Sequence, residues 1–217
     1  MTGPESNWMA HFGVLALMAV VPFIVVVGTS FAKVAVVLGI TRNAIGGQSV
    51  IPVSVLTALS MVITIFIMGP VVDEMVQTRI PDTSPDDSEK ESTFARAAAV
   101  YQAISPPLIR FLQKNTPREE LDFFTALDSN KPDTDPSVRV LLLAFASNEL
   151  VEAFALGFLV LVPFLLVDLL TANTLSALGM TNISVITVAL PLKLLLFIAA
   201  DGWHLLINAL IVSYGAS

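Results

Sequence analysis

The run Leu190-Pro191-Leu192-Lys193 is followed by the uncharged stretch Leu194 to Ala200 and then by Asp201-Gly202-Trp203, so a lysine and an aspartate stand inside apolar sequence. Asp168, Lys33 and the pair Glu149 and Glu152 are placed similarly. At bilayer depth such a charge costs about 2.5 to 3.5 kcal/mol on insertion scales unless it pairs or faces water. Three chemistries fit residues of this kind. A buried ion pair would fix helix register or subunit contacts. An ion or proton path would want several carboxylates along a cavity, with Asp168, Asp201, Glu149 and Glu152 as candidates. An intramembrane aspartyl protease would need two carboxylates sharing one proton; Asp168 and Asp201 would lie at different heights, and neither stands in a Gly-x-Gly-Asp context.

Counting along the chain assigns the first pair. A reversal is expected near Gly179 to Asn182, with Asp168 about twelve residues before its centre and Lys193 about twelve after, so in antiparallel helices both lie about 18 Å from the tip. An ion pair between them would neutralise both. Asp201 lies about 12 Å further along the axis than Lys193. It therefore needs another partner, either Lys33 or a neighbouring subunit.

The elements that carry these residues are long and apolar. Phe12 to Ala32 and Ser49 to Val72 contain no charge, and each matches the roughly 20 residues needed to cross a hydrocarbon core. A third block runs from Ala153 through Asp168 to Leu178, and a fourth from Ile183 to Val212. The fold expected is an all-α membrane protein of long, kinked hydrophobic hairpins with four spans: an N-terminal hairpin over residues 8–76, a small helical polar insert with loops over 77–139, and a C-terminal hairpin over 140–217. Gly46-Gly47 allows the tight first turn, and Pro52 suits a first helical turn. Pro163 should kink the third helix. Glu149 and Glu152, three residues apart, share a helix face.

Within the insert, residues 81–92 lack the apolar content to fold alone and read as a mobile loop. Phe94 to Leu112 is helix-like, with an interruption expected at Pro106-Pro107. Thr116-Pro117-Arg118-Glu119 fits a capping box opening a short amphipathic helix with Leu121, Phe124 and Leu127.

Composition narrows the class further. The chain is 55% hydrophobic and 13% charged, with a mean hydropathy of +0.80, against roughly 25% charge in a soluble domain. A soluble enzyme is excluded. The net charge is −7, and Asp73 to Arg139 carries 13 acidic against 8 basic residues, which disfavours nucleic acid as a partner. The absence of cysteine excludes disulfides and thiolate-bound metals. His11 and His204 are too far apart in sequence to suggest a metal site, no Gly-rich nucleotide loop is present, and no cofactor is expected. The N-terminal apolar run is longer than a signal h-region and reads as a retained helix. Lys33 and Arg42 near the first connection put it in the cytoplasm and the acidic insert outside.

Several blocks are specific enough to carry a resemblance. Thr29-Ser30-Phe31-Ala32-Lys33-Val34-Ala35-Val36-Val37-Leu38 with Arg42-Asn43-Ala44-Ile45-Gly46, Gln48 and Pro52 resembles the R subunit of the type III secretion export apparatus, whose flagellar relative is FliP. Glu149-Leu150 with Ala153-Phe154, Val162-Pro163-Phe164 with Val167-Asp168-Leu169, and Leu190 to Leu194 with Asp201-Gly202-Trp203 resemble it in the same order. The ending Ile211 to Gly215 looks like the injectisome branch, and the polar insert is poorly matched.

That resemblance implies a non-enzymatic subunit of a protein-export channel in the bacterial inner membrane. Family members assemble as five copies with the S and T subunits into a cone that projects to the periplasmic side, through which unfolded proteins pass. The U and V subunits, the inner rod and membrane lipid are further implied partners. Lys33, Asp168, Lys193 and Asp201 become buried assembly charges, and Arg42, Gln48, Glu149 and Glu152 candidate subunit contacts. In the family a run of methionines at the second hairpin tip seals the pore, a task suited to flexible thioethers. Here Leu178, Gly179, Met180, Thr181, Asn182 and Ile183 occupy the tip, with a single methionine. Either Met180 with Leu178 and Ile183 forms a weaker seal, or other subunits complete it, or the tip is a plain polar turn suited to Asn182. The competing reading of the whole chain is an ion-coupled transporter or proton-channel subunit.

Overall fold

The computed structural model describes residues 26–47, 51–77, 105–128 and 137–215, with Ala19 and Phe23 as isolated positions before them. Among these residues all regular structure is helical: α1 Phe31–Ala44, α2 Val53–Gln77, α3 over residues 105–114, α4 Arg118–Leu127, α5 Val138–Ala177, α6 Val185–Ala199 and α7 Gly202–Gly215. The span expected over Phe12 to Ala32, the loop over 81–92 and the stretch from Phe94 to residue 104 lie largely or wholly outside the described residues.

Hydropathy sets the helix lengths. α2 and α5 are each apolar and long enough to cross a membrane, so the chain is an all-α membrane protein. The 40 residues of α5 span about 60 Å at 1.5 Å per residue, twice the roughly 30 Å of a hydrocarbon core. Ser137 starts this helix, its hydroxyl accepting from the Val140 amide at 3.4 Å. Pro163 and Pro191 lie within α5 and α6, and neither ends its helix.

The fourth apolar block is not the single helix expected from its hydropathy. It breaks into α6 and α7, bent by 61°, and the break falls on Asp201 at φ 50. The Ala200 and Asp201 amides bond back to the Leu196 and Ile198 carbonyls at 3.0 and 3.1 Å, which closes α6 on a left-handed residue. Aspartate tolerates that conformation better than a bulky side chain does.

Both hairpin tips use the same device. Gly46 at φ 76 and Gly179 at φ 71 follow the last residues of α1 and α5. The Gly46 and Gly47 amides reach Asn43 and Arg42 carbonyls, and the Gly179 and Met180 amides reach Ser176 and Leu175 carbonyls, at 2.9 to 3.0 Å. This is the Schellman closure, in which a left-handed glycine lets two amides satisfy orphan helix carbonyls.

Three apolar clusters bind the helices. Val34, Val37 and Leu38 of α1 meet Leu56 and Ile63 of α2, Ala153 of α5, and Leu206 and Leu210 of α7. Met68, Phe111, Leu112, Leu141, Phe145 and Tyr214 join α2, α3, α5 and α7. Ala44, Ile45, Phe164 and Phe197 close the third. Burying each large apolar side chain contributes about 1.5 to 3 kcal/mol.

Pro106 and Pro107 lie in the first turn of α3 as described, and the stretch before residue 105, which an interruption would separate from it, lies outside the described residues. The next helix of the insert departs from its sequence reading. Thr116 forms no capping box: Pro117 is the N-cap of α4, without a side-chain cap, and the Thr116 hydroxyl donates back to the Leu112 carbonyl at 2.6 Å. Proline fixes the extended entry that the cap would have provided. Leu127, at the end of this amphipathic helix, is 63% exposed.

Candidate functional site

Two ionic clusters sit in the apolar body. The larger centres on Lys33, which α1 carries into the interface with α5 and which is 1% exposed. Its Nζ lies 2.7 Å from Glu152 Oε2 and 3.1 Å from Glu149 Oε1. The i, i+3 spacing of the two glutamates places them together on α5. The second Glu149 oxygen accepts a hydrogen bond from the Tyr214 hydroxyl of α7. Glu149 Oε1 has no well-aligned hydrogen bond, and the lysine contact meets its charge.

Aromatic and amide groups complete this cluster. Lys33 Nζ sits 4.1 Å from the Tyr214 ring centroid, close enough for a cation–π contribution, and Phe111 stacks on that ring at 6.0 Å. Asn148 Nδ2 donates to Glu152 Oε1 at 2.9 Å and to the Asn115 carbonyl at 3.4 Å. One polar chain thus ties α1, α5, α7 and the end of α3. The sequence alone pairs Glu149 with Glu152 on one helix face but does not join Lys33 to them, and it gives Tyr214 and Asn148 no role. A phenol on an apolar helix was the available signal, because buried tyrosine hydroxyls need a partner.

The second cluster is the pair found by counting outward from the tip. Lys193 Nζ on α6 donates to Asp168 Oδ2 on α5 at 2.7 Å. Lys193 is buried, whereas the Asp168 side chain is 38% exposed within the chain.

Asp201 is exposed within the chain at the helix break. Of the two partners expected for it, Lys33 is engaged by the two glutamates instead, which leaves a neighbouring subunit. Arg42 closes the first connection from inside, its Nε donating to the Ile51 carbonyl at 2.6 Å. Gln48 lies outside the described residues. At the second tip Leu178, Gly179, Met180, Thr181, Asn182 and Ile183 are all exposed, and the reversal is made by Gly179.

Two cavities beside these helices are apolar. One of about 370 Å³ is lined by residues such as Leu159, Pro163, Phe197 and Leu205, and one of about 450 Å³ by Pro52, Val55, Leu59, Trp203 and Ile207. Neither lining includes a carboxylate. Among the described residues no group of three or more histidine or acidic side chains is placed to hold a metal ion.

Comparison with known proteins agrees with this architecture. The FliP family profile matches residues 14–210. The chain is 38% identical to the virulence protein YscR of Salmonella typhimurium over 99% of its own length and all of the relative's. It is 36% identical to the Yop proteins translocation protein R of Yersinia pestis, over 93% of this chain and 94% of that one. To the flagellar biosynthetic protein FliP of Pectobacterium carotovorum it is 35% identical, over 96% of this chain and 81% of the relative. With its paired buried charges and apolar helices, this chain belongs to the FliP family, whose members are components of type III secretion and flagellar export apparatus.

Proposed function

We propose that this chain is a core subunit of the export gate, assembling with copies of itself and with the S and T subunits into the channel that passes unfolded proteins out of the cytoplasm. The observation that carries this reading is an imbalance. The apolar charges Lys33, Glu149, Glu152, Lys193 and Asp168 find partners within one chain, yet α5 leaves Phe154, Phe158, Leu159, Leu165, Leu166 and Leu169 exposed along its outer length. A helix twice as long as the hydrocarbon core is thick cannot bury that surface in lipid alone, and an apolar patch of this extent marks an interaction surface. The gate sits in the inner membrane, with the distal part of α5 and its tip at Gly179 to Ile183 among the subunits around the pore.

The transporter reading would require carboxylates along a hydrated path. Glu149 and Glu152 are instead engaged by Lys33, and the cavities are apolar, which favours structural charges. Native mass spectrometry of the chain co-expressed with the membrane proteins encoded beside it tests the proposal, comparing wild type with Lys193→Ala. A multi-copy complex containing small partner subunits, lost in the variant, is the expected result. A wild-type chain that stays monomeric or dimeric without partners would overturn it.

A further inference from the structure

The apolar run of α2 extends from Val53 to Val72 and ends at Asp73. It covers about 30 Å at 1.5 Å per residue, the thickness of a hydrocarbon core, so Ile51 and Pro52 stand at the headgroup level on the side of the first connection. Arg42 is brought to the same place, because its Nε donates to the Ile51 carbonyl at 2.6 Å across the turn. Its position in the last turn of α1 also suits the negative end of a helix dipole. A carbonyl takes one of the five N–H donors of a guanidinium, however, and does not cancel its charge.

α7 brings a second interfacial residue. From the first apolar cluster to the second, α2 advances from Leu56 and Ile63 to Met68 while α7 advances from Leu206 and Leu210 to Tyr214, so the two helices run in the same direction. Trp203, at the start of α7, therefore lies beside the start of α2. Tryptophan is enriched at this depth, where its ring meets apolar and polar surroundings together.

The cavity of about 450 Å³ lies between these two helix starts. Ile51, whose carbonyl holds Arg42, lines it with Pro52, Val55, Leu59, Trp203 and Ile207. From Ile51 to Leu59 it descends about 12 Å along α2, from the headgroup level to hydrocarbon depth. A helix about 10 Å across would need roughly twice that volume over the same length, so the slot is too narrow for one. An apolar wall gives water no partners. A flexible hydrocarbon chain fits the slot, and the planar guanidinium at its Ile51 end matches two oxygens of a phosphate.

We propose that this slot binds a phospholipid, with one acyl chain between α2 and α7 and the phosphate on Arg42. The site goes beyond the assembly reading above, because the single chain already forms it.

The test uses the full chain purified in detergent, which strips loosely held lipid, and phosphatidylglycerol with a diazirine in its acyl chain as the probe. Irradiation should label Val55, Leu59 or Ile207 in preference to Ile65 and Phe66 on the exposed face of α2. A diacylglycerol with the same chains and no phosphate should label them about tenfold less or weaker still. Arg42→Gln should bring labelling by phosphatidylglycerol down to the diacylglycerol level. Val55→Trp fills the slot from an exposed position and should abolish labelling by both lipids, with an unchanged unfolding midpoint in their absence. If Arg42→Gln fails to fold because the turn loses its anchor, the comparison of the two lipids on wild type still decides. Equal labelling by the two lipids overturns the inference, as does labelling that Val55→Trp leaves unchanged. In the assembled apparatus, p-benzoylphenylalanine at Val55 that crosslinks to another polypeptide would put a partner's side chain in the slot and overturn it too. A chain that keeps its lipid label yet gathers no partner subunits defeats the proposed function and leaves the lipid site standing.

Discussion

Lys33 shows how much one buried cation can organise. It pairs with two carboxylates and touches an aromatic ring, all on elements more than a hundred residues away in sequence. Replacing it by methionine keeps the packing volume but leaves Glu149, at 1% exposure, as an uncompensated buried charge. That situation costs about 3 to 5 kcal/mol. Lys33→Met should therefore lower the midpoint of thermal unfolding in detergent sharply, and adding Glu149→Gln should recover part of the loss. Full additivity of the two substitutions would show that the residues do not interact. Tyr214→Phe makes a gentler test, since it deletes one donor and leaves the ring over Lys33. A loss of about 1 to 3 kcal/mol, read in the same melts, is expected for a carboxylate oxygen stripped of its hydrogen bond. The lysine was legible as a buried charge because it stands in apolar sequence. Its partners were not, because no spacing rule relates residues 33, 149 and 214. Asp168 and Lys193 were readable as partners for the opposite reason: two helices leave one tip, and distance along each can be counted.

Among the elements, the corner between α6 and α7 escaped the hydropathy reading because Asp201-Gly202 lies inside an otherwise continuous apolar run. An Asp-Gly dipeptide is a turn signal, and it competed with thirty residues of helix-like composition. The two glycines at the turns of this arm do different work, and substitution separates them. Gly179 has open space where a Cβ would stand, and only its φ of 71 resists a side chain. Gly179→Ala should cost about 1 kcal/mol through the backbone alone. A Cβ on Gly202 would stand 2.3 Å from the Phe197 ring, and that ring is held by Phe164 on one side and Trp203 on another. Gly202→Ala must move the ring or open the 61° bend, so its penalty should reach the roughly 1 to 3 kcal/mol of an overpacked core. A spin-label distance across the bend should change in Gly202→Ala and stay fixed in Gly179→Ala; equal behaviour of the two would show that the ring does not set the angle.

For the whole molecule, the distribution of charge over the exposed apolar surfaces distinguishes what meets lipid from what meets protein. The outward face of α2 presents Met61, Val62, Ile65 and Phe66 without a charge among them, a surface that hydrocarbon would satisfy. The distal half of α5 is equally apolar at Leu165 and Leu166, but Asp168 lies within a turn of them with 38% of its side chain open. Lipid cannot solvate that carboxylate, so this face should be covered by protein whenever the subunit is assembled, and the apolar surface beside it should be covered too. Labelling with a membrane-soluble carbene precursor reads the difference. In the isolated chain in detergent both helices should be labelled; in the assembled apparatus labelling should fall at Leu165 and Leu166 far more than at Ile65 and Phe66. Equal protection of both helices would mean that α2 is also an interface. Unchanged labelling of α5 would mean that the ion pair is complete as it stands and that the open side of Asp168 faces water.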